Sequence, residues 1–381
     1  MKKFVAVLCA ATLLLLSTAG CASPGNSSSQ ESSKAESSAA EESFKSEESS
    51  AAEESSKSEE SSAAEESSKS EESFAAGSEY TVRVAALKGP TGMGLAKLIS
   101  ENETGTSQNQ YDFTMASSPD EILASIIKGD FDIAAVPTNV ASILYNKTEG
   151  KVQMAALNTL GVLYVLTTDD SIETVADLAG KTVYSTGQGA VPEIVFNYIL
   201  EQNGLKVGED VQVEYKSEHS ELAALMAAGE AQIAVLPQPF VTSVLTQNEN
   251  VRVALDLTKE WNQATDGASE MTMGCIVVQK AFAEEHPEEM EAFMKEYKAS
   301  VEYITDEANV QEAAQLIEKA GIIQAAVAQK ALSECNIVFI DGSRMQQIAS
   351  GFLQVLYDSN PAMVGGTLPN ENLYYKGATG Q

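Results

Sequence analysis

The sequence predicts an α/β protein of two similar lobes, each a mostly parallel sheet covered by helices. Three observations carry that prediction. Two segments, "SSPDEILASIIKGDFDIAAVP" from Ser117 and "SEHSELAALMAAGEAQIAVLP" from Ser217, align without a gap at a separation of 100 positions. Upstream of each lies a looser pair, "TVRVAALKGPTGMGLAKLI" from Thr81 and "TVYSTGQGAVPEIVFNYIL" from Thr182, and both read as strand, glycine-containing loop and helix. Strands that alternate with helical stretches form βαβ units, whose right-handed crossovers give parallel sheets with helices on their faces.

In chain order, the leader comes first. Lys2 and Lys3 precede an apolar run from Phe4 to Leu16, and "STAG" supplies small residues before Cys21, so residues 1–20 read as a secretory signal peptide. Cys21 after small residues resembles the lipobox of bacterial lipoproteins, with Thr18 where leucine is usual. The expectation is lipidation at Cys21, with ordinary cleavage and free secretion as the alternative. No later apolar run is long enough to cross a bilayer.

Residues 21–78 form a linker. Three consecutive twelve-residue copies, "EESFKSEESSAA", "EESSKSEESSAA" and "EESSKSEESFAA", contain too little apolar surface to offset chain entropy. A flexible coil of that length spans about 40 Å, and its charge extends it further. Removing the linker's −10 and the leader's +2 from the formal −31 leaves −23 on the remainder. That balance, with no compensating basic cluster, excludes nucleic acid and confines membrane contact to the anchor.

Each duplicated copy reads as helix, turn and strand. Ser118, Pro119 and Glu121 make a capping-box start, and Ile122, Leu123, Ile126 and Ile127 give an apolar face at helical spacing. Gly129 ends the helix. "FDIAAV" and "AQIAVL" then read as buried strands, each stopped by a proline. Ligands of such sheets bind beyond the carboxyl ends of the strands. Four loops therefore stand out: 88–94, 137–139, 186–190 and 237–239.

Nucleotide chemistry is disfavoured in the first of these. Gly94 is followed by Leu95 and Ala96 rather than the Lys and hydroxyl of a Walker A loop, and Lys97 occupies the third glycine of a dinucleotide fingerprint. The loop reads instead as a ligand contact, its glycines admitting close approach; the competing reading is that Gly92 and Gly94 only permit tight strand–helix packing. On the first reading, Gly92→Val weakens binding while the fold persists.

The only histidines are His219, at the edge of the inferred cleft, and His286 in "EEHPEE", which reads as a surface residue at a helix start. No local signature assembles a nucleophile, base and orienting acid, so no catalytic residue is assigned and the chain is read as a non-enzyme. Cys275 and Cys335 have no metal-ligand spacing; they read as small core residues, with a disulfide permitted outside the cytoplasm. No metal or cofactor is expected.

Several segments in order resemble the extracytoplasmic solute-binding proteins of ABC importers, in the branch handling sulfonates, taurine, nitrate and thiamine precursors. They are "GDFDIAAVP" from Gly129, "LAGKTVYSTGQGAVPEIVFNYILEQNGLKVGEDVQVEY" from Leu178 and "MTMGCIVVQKAFAEEHPEEMEAFMKEY" from Met271. The resemblance spans Tyr80 to about Tyr375. It implies the type 2 periplasmic-binding-protein fold, two α/β lobes joined by two crossing strands near "VLYVLTT" and "MTMGCIVV". The lobe boundaries expected are 79–166 for the first part of lobe 1, 167–271 for lobe 2, and 272–381 for the return to lobe 1.

Carried over by position, the resemblance implies a cleft lined by Lys88, Thr91, Gly92, Thr138, Asn139, Gln188, Gly189, Ala190, His219 and Gln238. Lys88 is read either as pairing an acidic ligand group or as a snorkelling surface lysine. No arginine clamp is identifiable, which argues against a strongly anionic solute. Trp261 is read as a ring-stacking residue or as a loop or buried anchor. The stripe Met290, Phe293, Met294, Tyr297, Val301 and Ile304, and a helix over 343–357, read as packing of lobe 1. The implied function is capture of a small organic solute and its delivery to an ABC permease with a cytoplasmic ATPase. The protein is expected to be a monomer anchored by lipid outside the cell membrane. A ligand-sensing surface lipoprotein is the alternative, and an enzyme on the same fold related to thiamine-pyrimidine synthesis a more distant one.

Overall fold

The computed structural model describes residues 80–377. The signal peptide, Cys21 and the 21–78 linker lie outside the described residues.

The chain opens with β1 (Thr81–Leu87), α1 (Pro90–Met93), α2 (Ala96–Thr104), β2 (Gln110–Ala116), α3 (Pro119–Lys128), β3 (Ile133–Pro137), α4 (Thr138–Lys147) and β4 (Val152–Leu160). It continues through β5 (Leu163–Thr167), β6 (Thr182–Thr186), α5 (Val191–Gln202), β7 (Gln212–Lys216), α6 (His219–Ala227), β8 (Ile233–Pro237), α7 (Phe240–Gln247), β9 (Arg252–Asp256) and α8 (Leu257–Ala264). It ends with β10 (Thr272–Gln279), α9 (Lys280–Glu285), α10 (Pro287–Thr305), α11 (Val310–Lys319), α12 (Ala325–Ala331), β11 (Ile337–Ile340) and α13 (Gly342–Ser359). No helix among the described residues is long and apolar enough to cross a membrane.

Among the described residues the strands form two sheets, ordered β11-β4-β10-β3-β1-β2 and β7-β6-β8-β5-β9. The two have one plan. β1 lies parallel to β2 and β3, as β6 does to β7 and β8. Beside β3 runs antiparallel β10 and then β4, as antiparallel β5 and then β9 run beside β8. This is the two-lobed α/β architecture expected, and the antiparallel member of each sheet immediately follows a crossing between lobes.

The first crossing corrects a boundary. Residues up to 166 were assigned to lobe 1, but β5 pairs along its whole length with β8 and places 163–167 in the second sheet. The chain changes lobes at Gly161–Val162. A Cβ at Gly161 would collide with the Thr258 side chain and stand 2.6 Å from Met271 Cε, so only glycine lets the outgoing strand pass this close to the returning segment.

Helix entries follow the local chemistry. At α3 the Ser118 N–H donates to Glu121 Oε1 at 2.9 Å, the backbone half of a capping box, with Pro119 at the first helical position. Gly129 closes the helix at φ +82°, a left-handed value glycine adopts without strain. Asp132, almost wholly buried, ties β3 to β1: its Oδ2 accepts from the Arg83 backbone N–H at 2.8 Å and from Arg83 Nε at 3.1 Å.

Lobe 1 buries the α10 stripe Met290, Phe293, Tyr297, Val301 and Ile304 against β1, β3 and β10 residues. The lobes share an apolar seam at Trp261, which is wholly buried on α8. Its Nε1 donates to the Ser269 carbonyl at 3.0 Å, and its ring stands 5.0 Å from Tyr198 of α5 and 5.3 Å from Phe352 of α13. Trp261 is thus a buried anchor and does not offer its ring to a solute. Cys275 and Cys335 are both buried free thiols.

Candidate ligand-binding cleft

Between the lobes lies a cleft of about 620 Å³, measured out to open solvent. It is built from the carboxyl ends of corresponding strands, and part of its lining repeats the internal duplication. Ser117 corresponds to Ser217, Pro119 to His219 and Pro137 to Pro237, while the less regular first loops of the two lobes add Leu87 and Pro90 on one side and Gly187 and Ala190 on the other. Each of the three duplicated pairs is 100 positions apart. Lys88, Thr91, Pro192 and Met273 complete the wall.

The opening loop owes its shape to Gly89. Lys88 N–H still pairs with the Ala116 carbonyl at 2.8 Å, continuing the β1–β2 ladder. Gly89 then takes φ +137° and ψ −161°, a region open only to glycine, and Pro90 starts the α1 turn. The Gly89 carbonyl accepts from the backbone N–H groups of Gly92 and Met93 at 3.1 and 3.2 Å. This reversal brings Lys88 and Thr91 to the cleft wall, while Asn158 Nδ2 holds the Thr91 carbonyl at 3.1 Å. Gly92 faces away from the cleft, because a Cβ there would collide with the Leu87 carbonyl oxygen. Gly94 packs on α10, its notional Cβ 3.0 Å from Val301 Cγ2. Close packing is the role of these two glycines, and the expectation that Gly92→Val spares the fold is withdrawn.

On the second lobe, Gly187 turns at φ +68° and Gly189 at φ +75°. Ala190 and Pro192 at the start of α5 form the wall, and Gln188 and Gly189 stand exposed at the loop tip. His219, the first residue of α6, lines the cleft with its ring 5.2 Å from that of Phe240. Its Nδ1 lies 2.6 Å from Thr186 Oγ1. The residue is half-buried, and burial pulls its pKa down to about 4, so it is neutral in the physiological range.

The remaining sequence-predicted residues belong to the framework behind this wall. Thr138 is wholly buried, its Oγ1 3.1 Å from Thr272 Oγ1 on the returning strand. Gln238 Oε1 accepts from Thr242 N–H at 3.1 Å and from its hydroxyl at 2.9 Å, capping α7. Asn139 spans the lobes: its buried Nδ2 donates to the Gly189 carbonyl at 3.0 Å and to the Met363 carbonyl at 3.2 Å. Phe240 of the second lobe stands close to the first: its Cε2 would lie 3.7 Å from a Cβ added at Gly89.

The lining chemistry is simple. Lys88, half-buried, is its one charged side chain; hydroxyls come from Thr91, Ser117 and Ser217, a neutral imidazole from His219, and flat apolar surface from five prolines, Leu87 and Met273. No group of His, Cys, Asp or Glu among the described residues is arranged to hold a metal ion. The prolines and serines of the wall were not singled out as contacts, because each reads singly as a strand stop or a helix start; Ser117 with Ser217 and Pro137 with Pro237 stand out once the two copies are read against each other.

Residues 95–331 match the family described as periplasmic phosphonate substrate-binding proteins of ABC transporters. The chain belongs to that family. Among solved structures, this periplasmic binding protein is similar to an ABC transporter protein from Parabacteroides distasonis, at 24% identity over 77% of this chain and 98% of that one, with a TM-score of 0.63. It is also similar to the periplasmic aliphatic sulphonate-binding protein SsuA of Escherichia coli, at 16% identity over 79% and 94% of the two chains and a TM-score of 0.62. The alkanesulfonate-binding SsuA of Xanthomonas axonopodis pv. citri, bound to MOPS, shows 17% identity over 78% and 96%, with a TM-score of 0.60. No curated protein sequence matches the chain. Members of the family are substrate-binding components of ABC transporters.

Proposed function

We propose that the protein captures a small organic solute between its lobes and delivers it to an ABC permease. The observation that carries this reading is the convergence of three residue pairs of the duplication, Ser117 with Ser217, Pro119 with His219 and Pro137 with Pro237, on one interlobe cleft. Hinge closure traps the solute and shifts the population of open and closed states without chemistry on it. Lys88 and Thr91 on one wall, and Ala190 and His219 on the other, contact the solute; Asn139, Gly189, Gln188, Thr138, Gln238 and Gly92 act around them by shaping and closing the walls. One lysine without an arginine suits a solute with a single anionic or polar oxygen-bearing head and an apolar body. Lipidation at Cys21 holds the protein outside the cell membrane, and the repeat linker lets it reach its permease.

Thermal unfolding and calorimetry of the purified protein with ethanesulfonate, MOPS, taurine, methylphosphonate and nitrate test the capture reading. A true ligand at a hundred times its Kd adds about 2.7 kcal/mol of stability. If Lys88→Ala and His219→Ala leave the affinity of every binding solute unchanged, the cleft assignment is wrong. Radiolabelled palmitate incorporated by the wild type and lost in Cys21→Ala tests the anchor.

A further inference from the structure

We infer that Thr186 is a positioning residue, which fixes His219 as an Nε2–H donor to an oxygen acceptor of the captured solute. The inference rests on the reading of the cleft as a capture site, and it begins from a hydroxyl with one partner. Thr186 ends β6 and is almost wholly buried. Its Oγ1 lies 2.6 Å from His219 Nδ1, and no other partner of that hydroxyl exists among the described residues.

A hydroxyl both donates and accepts, whereas each nitrogen of a neutral imidazole does only one. Were Nδ1 protonated, it would donate to Oγ1 and strand the threonine proton in a buried site. A stranded buried donor is more costly than a made hydrogen bond is favourable. The arrangement that satisfies both groups has the threonine O–H donating to a bare Nδ1, which leaves the ring proton on Nε2. Nε2 has no protein partner among the described residues, and its ring lines the cleft.

Phe240 completes the setting. Its ring backs the imidazole and stands close to Gly89 of the opposite lobe, so the donor is held against the element that approaches the first lobe. The neighbours that face the ring from β6 and α7 are the neutral Thr186 and Phe240. Glu218 and Glu221 lie on its own helix turn, and Lys88 stands in the shared cleft. Burial accounts for the depressed basicity of the ring, which keeps this donor neutral and its tautomer constant at ordinary pH. The chemistry selected is an acceptor oxygen, of a carboxylate, sulfonate or carbonyl, rather than a donor group.

With only two histidines in the chain, imidazole nitrogen NMR reads the tautomer directly, and His286 serves as internal reference. The wild type and Thr186→Ser are expected to show His219 protonated on Nε2 alone from pH 5 to 8. Thr186→Val, which keeps the shape and removes the hydroxyl, is expected to give mixed tautomers with His286 unchanged. For a probe that calorimetry shows to bind, such as ethanesulfonate or MOPS, Thr186→Val raises Kd about tenfold and Thr186→Ser less than threefold. Protonation on Nδ1 in the wild type, a Thr186→Val spectrum identical to it, or equal weakening by the two variants overturns the assignment. If no probe binds the wild type while the tautomer is as stated, it is the capture reading that fails.

Discussion

Gly89→Ala isolates the backbone contribution of the opening loop. At φ +137° and ψ −161° an L residue is strained by about 1–3 kcal/mol. The added methyl itself has room, since its nearest neighbour outside the loop is Phe240 Cε2 at 3.7 Å. The whole effect is therefore torsional. The chain relieves it by rotating residues 88–91, which moves Lys88 and Thr91 off the cleft wall and disturbs the approach of Phe240. Urea unfolding is expected to show a loss of about 2 kcal/mol, and calorimetry a drop in affinity of tenfold or more for any solute that binds the wild type. Gly129→Ala provides the comparison, because its φ of +82° is a milder left-handed value, nothing lies within 4 Å of the added methyl, and it sits at the far end of α3. That variant is expected to lose about 1 kcal/mol of stability with unchanged affinity. If Gly89→Ala binds like the wild type, or the two variants behave alike, the loop geometry does not organise the cleft.

Gly92→Ala is expected to lower stability severely, since its Cβ meets the Leu87 carbonyl rather than solvent; a melting temperature equal to wild type contradicts this. His219 should make stability depend on pH in a window set by its folded value of about 4 and the ordinary value near 6.5. The neutral ring is favoured on folding, so its contribution is complete above pH 6.5 and falls as pH drops toward 4. Comparing urea unfolding of wild type and His219→Gln at pH 7 and 4.5 should reveal a difference of at most about 3 kcal/mol in their pH dependence, and parallel profiles would contradict the burial. Asn139→Ala removes the hydrogen bonds that its Nδ2 donates to the Gly189 and Met363 carbonyls. Solute dissociation is expected to quicken about fivefold in stopped-flow, with a larger radius of gyration in solution scattering; an unchanged off-rate argues against a closing role.

Much of the architecture was legible because the chain writes it twice. Ile122 and Ile126, Gly129, Ile133 and Pro137 each carry a local signal, and the second copy repeats the order, so strand ends and loops were placed together. Side-chain direction was less accessible. Asn139, Thr138 and Gln238 occupy the right loops, but Asn139 Nδ2, Thr138 Oγ1 and Gln238 Oε1 are engaged by a carbonyl, a hydroxyl and a helix start, demands that arise only once distant segments meet. Trp261 sits among polar neighbours in sequence, and its burial follows from α13, about 90 positions later, closing over it. The lobe boundary was misplaced for a related reason: "VLYVLTT" is equally apolar as a bridge or as a sheet member, and β8 and β9 decide between them.

The second sheet draws all its strands from one uninterrupted stretch, whereas the first is missing an interior strand until β10 arrives. As the polypeptide emerges from its N-terminus, β3 and β4 must wait with unfilled edges while about a hundred further residues appear. The later half of the duplication can finish before the earlier one.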